Sequence, residues 1–350
     1  MSWKACRLGD VMTLKRGHDL PEHSRQEGDV PVVSSSGITG RHKEAKATAP
    51  GVVTGRYGTI GEVYFLQEDF WPLNTALYVI DFKGNDPRFT SYFLRNVLKG
   101  YQSEKAAIPG VDRNVLHEIK VQLPSLPEQL RITEILSTYD DLIDNNRRRM
   151  ALLEDSARQL YREWFVRLRF PGHEHTPIVD GVPHGWQRKT LGESVMLNYG
   201  KALKAELRVE GDYPVYGSSG IVGTHEKPLV QGPAIVLGRK GNVGSVYWSS
   251  KSFFPIDTVY FVSAESSSLY LYYVLKHMHF ISTDVAVPGL NRDFAYSRTM
   301  LHPPETLLRS FHETVESIHA QLDKLDETTQ KLRQARDLLL PRLMNGELAV

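Results

Sequence analysis

Two kinds of hydrophobic spacing alternate along this chain. First come short runs rich in Val, Ile, Tyr and Phe, broken by glycine, over residues 30–33, 51–54, 62–65 and 76–82. Runs of that length and content favour strands over helix. A helical spacing of apolar and aromatic residues follows over 91–98. From Ile132 the apolar positions then advance by alternating steps of four and three, through Leu136, Tyr139, Ile143, Asn146, Met150, Leu153, Ala157 and Leu160 to Trp164. That spacing is a heptad seam on a long helix. The whole order then repeats. Strand-like runs at 213–216, 234–237, 245–248 and 258–262 lead to a short helical stretch at 269–276. The second seam follows, through Phe311, Val315, Ile318, Leu322, Leu325, Thr329, Leu332, Arg336, Leu339 and Leu343. Prolines at 124 and 127, and again at 303 and 304, stand where an extended segment turns into each helix. Asn146 interrupts one seam, and Thr329 and Arg336 the other; such polar residues cost stability but can fix register between helices.

The repetition holds residue by residue. Trp3 returns as Trp186, the Leu8-Gly9-Asp10 run as Leu191-Gly192-Glu193, and Arg56 as Arg239, each 183 positions later. Further on, Ile108-Pro109-Gly110-Val111-Asp112-Arg113 matches Val287-Pro288-Gly289-Leu290-Asn291-Arg292 at a separation of 179. The predicted fold class is therefore α+β: two similar mixed α/β domains separated by two long helices that form an antiparallel coiled coil. The expected divisions are a first head over 1–126, a central helix over 127–170, a second head over 171–303 and a C-terminal helix over 304–350. The order head, helix, head, helix leads one to expect the heads at opposite ends of a rod.

Composition narrows the function classes. A chain of 350 residues can bury two ordinary cores. A single cysteine, Cys6, can form neither an internal disulfide nor a thiolate metal site, which fits a reducing compartment. No apolar run approaches the ~20 residues that span a bilayer and no export leader opens the sequence, so the expected location is the cytoplasm, with no membrane partner. The net charge is +1. Residues 1–126 carry 16 basic against 14 acidic side chains, and residues 173–303 carry 12 against 11, so any attraction to nucleic acid must come from local clusters or from partner subunits.

Three duplicated motifs are candidates for DNA contact. The Gly-Arg-x-Gly-x-x-Gly loop lacks the ending of a nucleotide-triphosphate loop and the glycine spacing of a dinucleotide fold. It offers Arg56 and Tyr57 in the first head and Arg239 and Lys240 in the second. Arginine can take guanine O6 and N7 bidentately or bind a phosphate; equally, a hairpin uses such glycines simply for positive φ. The serine-glycine turns offer the hydroxyls of Ser35, Ser36, Ser218 and Ser219, although turns also use serine for local reasons. Arg113 and Asn114, matched by Asn291 and Arg292, project from a turn, where a structural salt bridge is the competing role. No His-Glu-x-x-His run occurs, and His173-Glu174-His175 reads as exposed linker, so no metal site is expected. The aromatic run Tyr161, Trp164, Phe165 and Phe170 is either core or a docking surface for another subunit.

Three segments carry a family resemblance. The run from Leu160-Tyr161-Arg162-Glu163-Trp164-Phe165 to Phe170-Pro171-Gly172-His173 resembles the central signature of specificity subunits of type I restriction-modification systems. The ending Leu338-Leu339-Leu340-Pro341-Arg342-Leu343-Met344-Asn345-Gly346-Glu347-Leu348 is similar to their C-terminal one, and Leu126-Pro127-Glu128-Gln129 to the start of their central helix. The resemblance implies a non-catalytic subunit that reads a split double-stranded DNA target, one half per target recognition domain, with the helices as a ruler for the gap. It implies two methyltransferase subunits as partners, docked through Tyr161, Trp164, Phe165 and Leu343, and restriction subunits beside them. S-adenosylmethionine, ATP and Mg would then be held by those partners, and no cofactor by this chain. The sequence itself shows no methyltransferase, ATP-loop or nuclease motif. A coiled-coil scaffold that binds protein without reading DNA would share the rod and the repeat, but would not need duplicated arginine-bearing loops.

Overall fold

A computed structural model describes residues 3–56, 61–104, 111–280 and 289–350. The chain divides into two compact units, one comprising Met1–Asn146 with Thr328–Val350 and the other Arg147–Glu327. The divisions fall inside both long helices rather than at their ends, so each unit holds one head together with a piece of each helix.

In the first unit a four-stranded antiparallel sheet runs in the order Thr13–Arg16, Ala76–Asp81, Gly51–Gly55, Val63–Leu66. Beside it lies a three-stranded sheet in which Val30–Ser34 pairs antiparallel with Gly37–His42 and parallel with Trp71–Pro72. Strand Gly51–Gly55 is buried along its whole length because its two faces meet different cores. Val52 points to a cluster with Leu14, Leu77, Phe89 and Leu94, while Val53 joins Val33, Phe70 and Tyr78. Alternate side chains of a strand point to opposite faces, so consecutive valines satisfy both. The second unit repeats the plan: Asn198–Tyr199, Val259–Phe261, Ala234–Gly238 and Val246–Ser249 form the four-stranded sheet, and Ile235 and Leu237 face one core while Ala234 and Val236 face the other.

The helical stretch expected at 91–98 is longer in the structure, Pro87–Glu104. Asp86 starts it by accepting a hydrogen bond from the Phe89 backbone N–H at 2.6 Å, which satisfies one of the free donors of the first turn. The expected turns around Arg113 and Arg292 are instead the starts of short helices, Arg113–His117 and Arg292–Tyr296. The Asp112 side chain accepts from the Asn114 backbone N–H, and the Asn291 side chain from those of Asp293 and Phe294.

The long helices are Leu126–Tyr161, continued by a π-helical turn over Arg162–Val166, and Glu305–Met344. At the start of the first, Ser125 donates from both backbone and hydroxyl to Glu128 Oε2, at 2.9 and 2.7 Å. The buried Gln129 amide donates to Asn85 Oδ1 and the Pro124 carbonyl and accepts from the Asp86 N–H, which ties the helix to its head. Within the first unit, Ile132 and Leu136 share a core with Leu340 and Leu343. Within the second, Ala157 and Tyr161 share one with Phe311 and Val315. In the first unit Asp140 meets Arg336 while the earlier Ile132 and Leu136 meet the later Leu340 and Leu343, so the two helical segments run antiparallel, as the order of heads and helices leads one to expect. Among the described residues no helix is long and apolar enough to cross a membrane.

Candidate nucleic-acid interface

Each glycine loop joins two antiparallel strands, Gly51–Gly55 with Val63–Leu66 and Ala234–Gly238 with Val246–Ser249. Gly61, Gly241 and Gly244 take φ of 96°, 78° and 79°. The hairpin role of the glycines is therefore real, and the arginine is carried at the end of the incoming strand. The Arg56 N–H donates to the Thr75 carbonyl at 3.0 Å, and the Arg239 N–H to that of Thr258 at 2.9 Å.

The backbone joins this loop to the second motif. The Val111 N–H donates to the Arg56 carbonyl at 2.9 Å, and the Leu290 N–H to the Arg239 carbonyl at 2.8 Å. Two segments far apart in sequence thus meet at one place in each head, and Arg113 and Arg292 lie just beyond that junction. In the second head the serine turn is drawn in as well. The Asn242 N–H donates to Ser218 Oγ at 3.4 Å, and the Ser245 and Tyr247 hydroxyls to the Ser218 carbonyl at 2.6 and 3.1 Å. In the first head the turn closes on itself, with Ser34 Oγ 2.9 Å from Ser36 Oγ. Ser36, Ser219, Lys240, Arg113 and Asn114 are exposed, and Ser35, Ser218, Arg56, Arg239 and Arg292 are half-buried. Tyr57 lies outside the described residues. The side-chain oxygen of Asn291 accepts the hydrogen bonds of its helix cap, and the residue is exposed.

Residues that sequence reasoning missed complete the surface. In the first head Lys15, Arg16, His18, Asp19 and Asn74 line an open cleft with Arg113. Burial, then the charges of Lys15 and Lys46, lower the pKa of His18. In the second head the position of Arg16 is taken by Tyr199, whose exposed ring meets the guanidinium groups of both Arg239 and Arg292. Behind it Tyr260 donates to the Leu290 carbonyl at 3.0 Å, and burial raises its pKa. Cationic donors on otherwise modestly charged heads suit the acceptor edges of bases and phosphate oxygens. Among the described residues no group of three or more His, Cys, Asp or Glu could hold a metal ion.

The type I restriction modification DNA specificity domain model matches residues 1–155 and again 183–293. The chain belongs to that family. It is 23% identical over 292 residues to the type I restriction enzyme MjaIX specificity subunit of Methanocaldococcus jannaschii, a stretch that covers 74% of this chain and 66% of that protein. To the MjaVIII specificity subunit of the same organism it is 25% identical over 278 residues, covering 73% and 59%. The chain thus spans less than two thirds of the length of these curated relatives. Its fold is similar to that of the type I restriction-modification S subunit from M. genitalium, with a TM-score of 0.62, 19% identity and coverage of 98% of this chain and 96% of that one.

Of the four residues expected to form a docking surface on this specificity-domain chain, three are packed inside it. Tyr161, Phe165 and Leu343 are buried, at 6%, 6% and 2% exposure. The Phe165 ring lies 4.8 Å from that of Tyr270 and 4.9 Å from that of Phe311, and Trp164, half-buried, lies 5.9 Å from Phe311. The head helix Leu269–His277 supplies the aromatic partners that the run needs, so Tyr161 and Phe165 are core of the second unit. Leu343 packs in the core of the first.

Proposed function

We propose that this chain is the DNA sequence-specificity subunit of a type I restriction-modification complex, in which each head reads one half of a bipartite double-stranded target. The observation that carries the proposal is the matched junction of motifs: in both heads an arginine-bearing hairpin is hydrogen-bonded to the segment that presents a second arginine, Arg56 with Val111 and Arg239 with Leu290. A duplicated arginine can also be a packing device, as Arg25 and Arg208 are, but here two arginines from separate segments are brought to one place in each head. DNA reading calls for such cations, because base edges and phosphates are acceptors.

In this reading the chain catalyses nothing itself. Two methyltransferase subunits with S-adenosylmethionine modify adenine, and restriction subunits with ATP and Mg cleave. With the aromatic run buried, docking falls to exposed apolar positions of the long helices, such as Leu142, Leu152 and Leu338. The near-neutral heads fit an arrangement in which partners close on the DNA and share the phosphate contacts. The long helices set the gap, so one heptad added to each at matching levels should lengthen the spacer and leave both half-sites unchanged. The decisive experiment is methylated-adenine mapping of host DNA with and without this gene. A split motif whose methylation depends on the gene is the expected result, and an unchanged methylation pattern would overturn the proposal.

A further inference from the structure

Two guanidinium groups converge on one tyrosine ring in the second head. Tyr199 ends the edge strand Asn198–Tyr199 and is 48% exposed. Arg239 Cζ lies 5.0 Å from the ring centroid and Arg292 Cζ 5.3 Å. Each arginine has one further ring, Tyr260 at 5.6 Å for Arg239 and Tyr296 at 5.9 Å for Arg292. Arg239 Nη1 donates to the Asp257 carbonyl at 3.3 Å, and Arg292 Nε is buried without a hydrogen-bond partner. Among the described residues neither arginine is in an ion pair, so the like charges gathered here are offset only by ring faces and a carbonyl.

The first head does this differently. The position of Tyr199 holds Arg16 and that of Tyr260 holds Leu77, and its cations Lys15, Arg16 and Arg113 line an open cleft. Cations lining an open cleft suffice for a phosphate, which needs charge at a distance. A guanidinium held over a ring has less freedom to turn, and a held guanidinium is what bidentate donation to guanine O6 and N7 demands.

We propose that Tyr199 is a positioning residue for base reading by the second head, holding the guanidinium planes of Arg239 and Arg292 for a guanine in that head's half-site. The inference rests on the DNA-reading function proposed above. Its test uses the full chain assembled with its methyltransferase subunit and a pool of random-sequence duplex DNA, with the bound fraction sequenced. Tyr199→Phe keeps the ring and should enrich the same bipartite motif as the wild type. Tyr199→Ala, and Tyr199→Leu which keeps apolar bulk, should lose guanine preference in one half-site by roughly ten-fold or more while the other half-site stays unchanged. Arg239→Ala or Arg292→Ala should erase the same position and add little in the Tyr199→Ala background. Retention of both half-sites by Tyr199→Ala and Tyr199→Leu would overturn the inference, as would uniform weakening of every sequence, the mark of a phosphate contact. A wild-type complex that enriches no sequence would instead sink the specificity function itself, and this inference with it.

Discussion

Arg336 of the C-terminal helix donates to Asp140 of the first long helix at 2.6 Å, and the same carboxylate accepts from the Tyr92 hydroxyl of the head helix at 2.5 Å. In the sequence Arg336 stands at a seam position, where a charge alone would be costly. The structure supplies its counter-charge across the helix pair and uses the carboxylate to hold the head as well. Burial opposes the charge on Arg336, but its bonds to Asp140 and Asp337 prevail, and the guanidinium pKa is raised. Asp140→Ala leaves the partly buried Arg336 guanidinium with Asp337 alone and takes the carboxylate partner from the Tyr92 phenol. It should cost roughly 2–3 kcal/mol in a denaturant melt. Arg336→Met, which leaves Asp140 with Tyr92, should cost less. Equal losses from both would mean that the Tyr92 bond contributes nothing.

Thr329 is a second polar seam residue, and it has no compensation: its hydroxyl is buried without a hydrogen-bond partner. Thr329→Val removes the stranded group at nearly constant shape. The variant should be more stable by about 1 kcal/mol, read as a raised denaturation midpoint at unchanged slope. A destabilised Thr329→Val would show that the hydroxyl finds a partner in solution.

His319 of the C-terminal helix packs among Trp248, Tyr272 and Tyr273, with the Tyr273 hydroxyl 2.9 Å from Nε2. Burial, reinforced by the charge of Lys276, pushes its pKa from 6.5 down to about 4. The unfolded chain therefore takes up this proton near pH 6.5 and the folded chain only near pH 4. Stability is complete above pH 6.5 and declines as pH falls through that window, by an amount on the order of 3 kcal/mol. Melts at pH 7 and 4.5 should show the loss in the wild type and a shallower one in His319→Gln. An acid limb of equal steepness in the variant would assign the effect to other groups.

Much of this fold was legible because the decisive strands are apolar runs stopped by glycine, as at Gly51–Gly55 and Ala234–Gly238. The edge strands Thr13–Arg16 and Asn198–Tyr199 were not, since each exposes polar or charged side chains and matches neither period. Those strands carry Arg16 and Tyr199, so that part of the candidate interface went unread with them. The shared glycines that follow were a signal: a Cβ on Gly17 would sit 2.1 Å from the Leu73 carbonyl oxygen, and one on Gly200 2.1 Å from that of Ile256. Duplication alone does not mark a DNA contact either. Arg25 and Arg208 also stand 183 residues apart, yet they brace a hairpin by donating to the Thr39 and Val222 carbonyls. The aromatic run showed that something buries it, but only the packed helices show that the chain does so itself.

Phe165→Ala should accordingly act through folding. Its ring lies against Trp186, Tyr270 and Phe311, and removing a buried aromatic typically costs ~3–5 kcal/mol. The expected outcome is a lowered melting temperature of the isolated chain. A variant with wild-type stability that fails to assemble with the methyltransferase subunit would restore the docking role.

Arg56→Ala and Arg239→Ala separate the two heads. The arginines belong to different compact units, each joined by its carbonyl to the segment that presents the head's other arginine. If each reads a guanine, each variant should lose about 1–3 kcal/mol of discrimination, confined to one half-site and a different one for each. Residues with no shared partner act independently, so the double variant should lose the sum within ~0.5 kcal/mol. If one arginine binds phosphate instead, its variant should weaken all sequences alike and reduce the salt dependence of binding by about one unit of slope. Competition binding at two salt concentrations, with duplexes altered in one half-site at a time, distinguishes these outcomes. Unchanged binding by both variants, with folding intact, would leave the glycine loops as hairpins and nothing more.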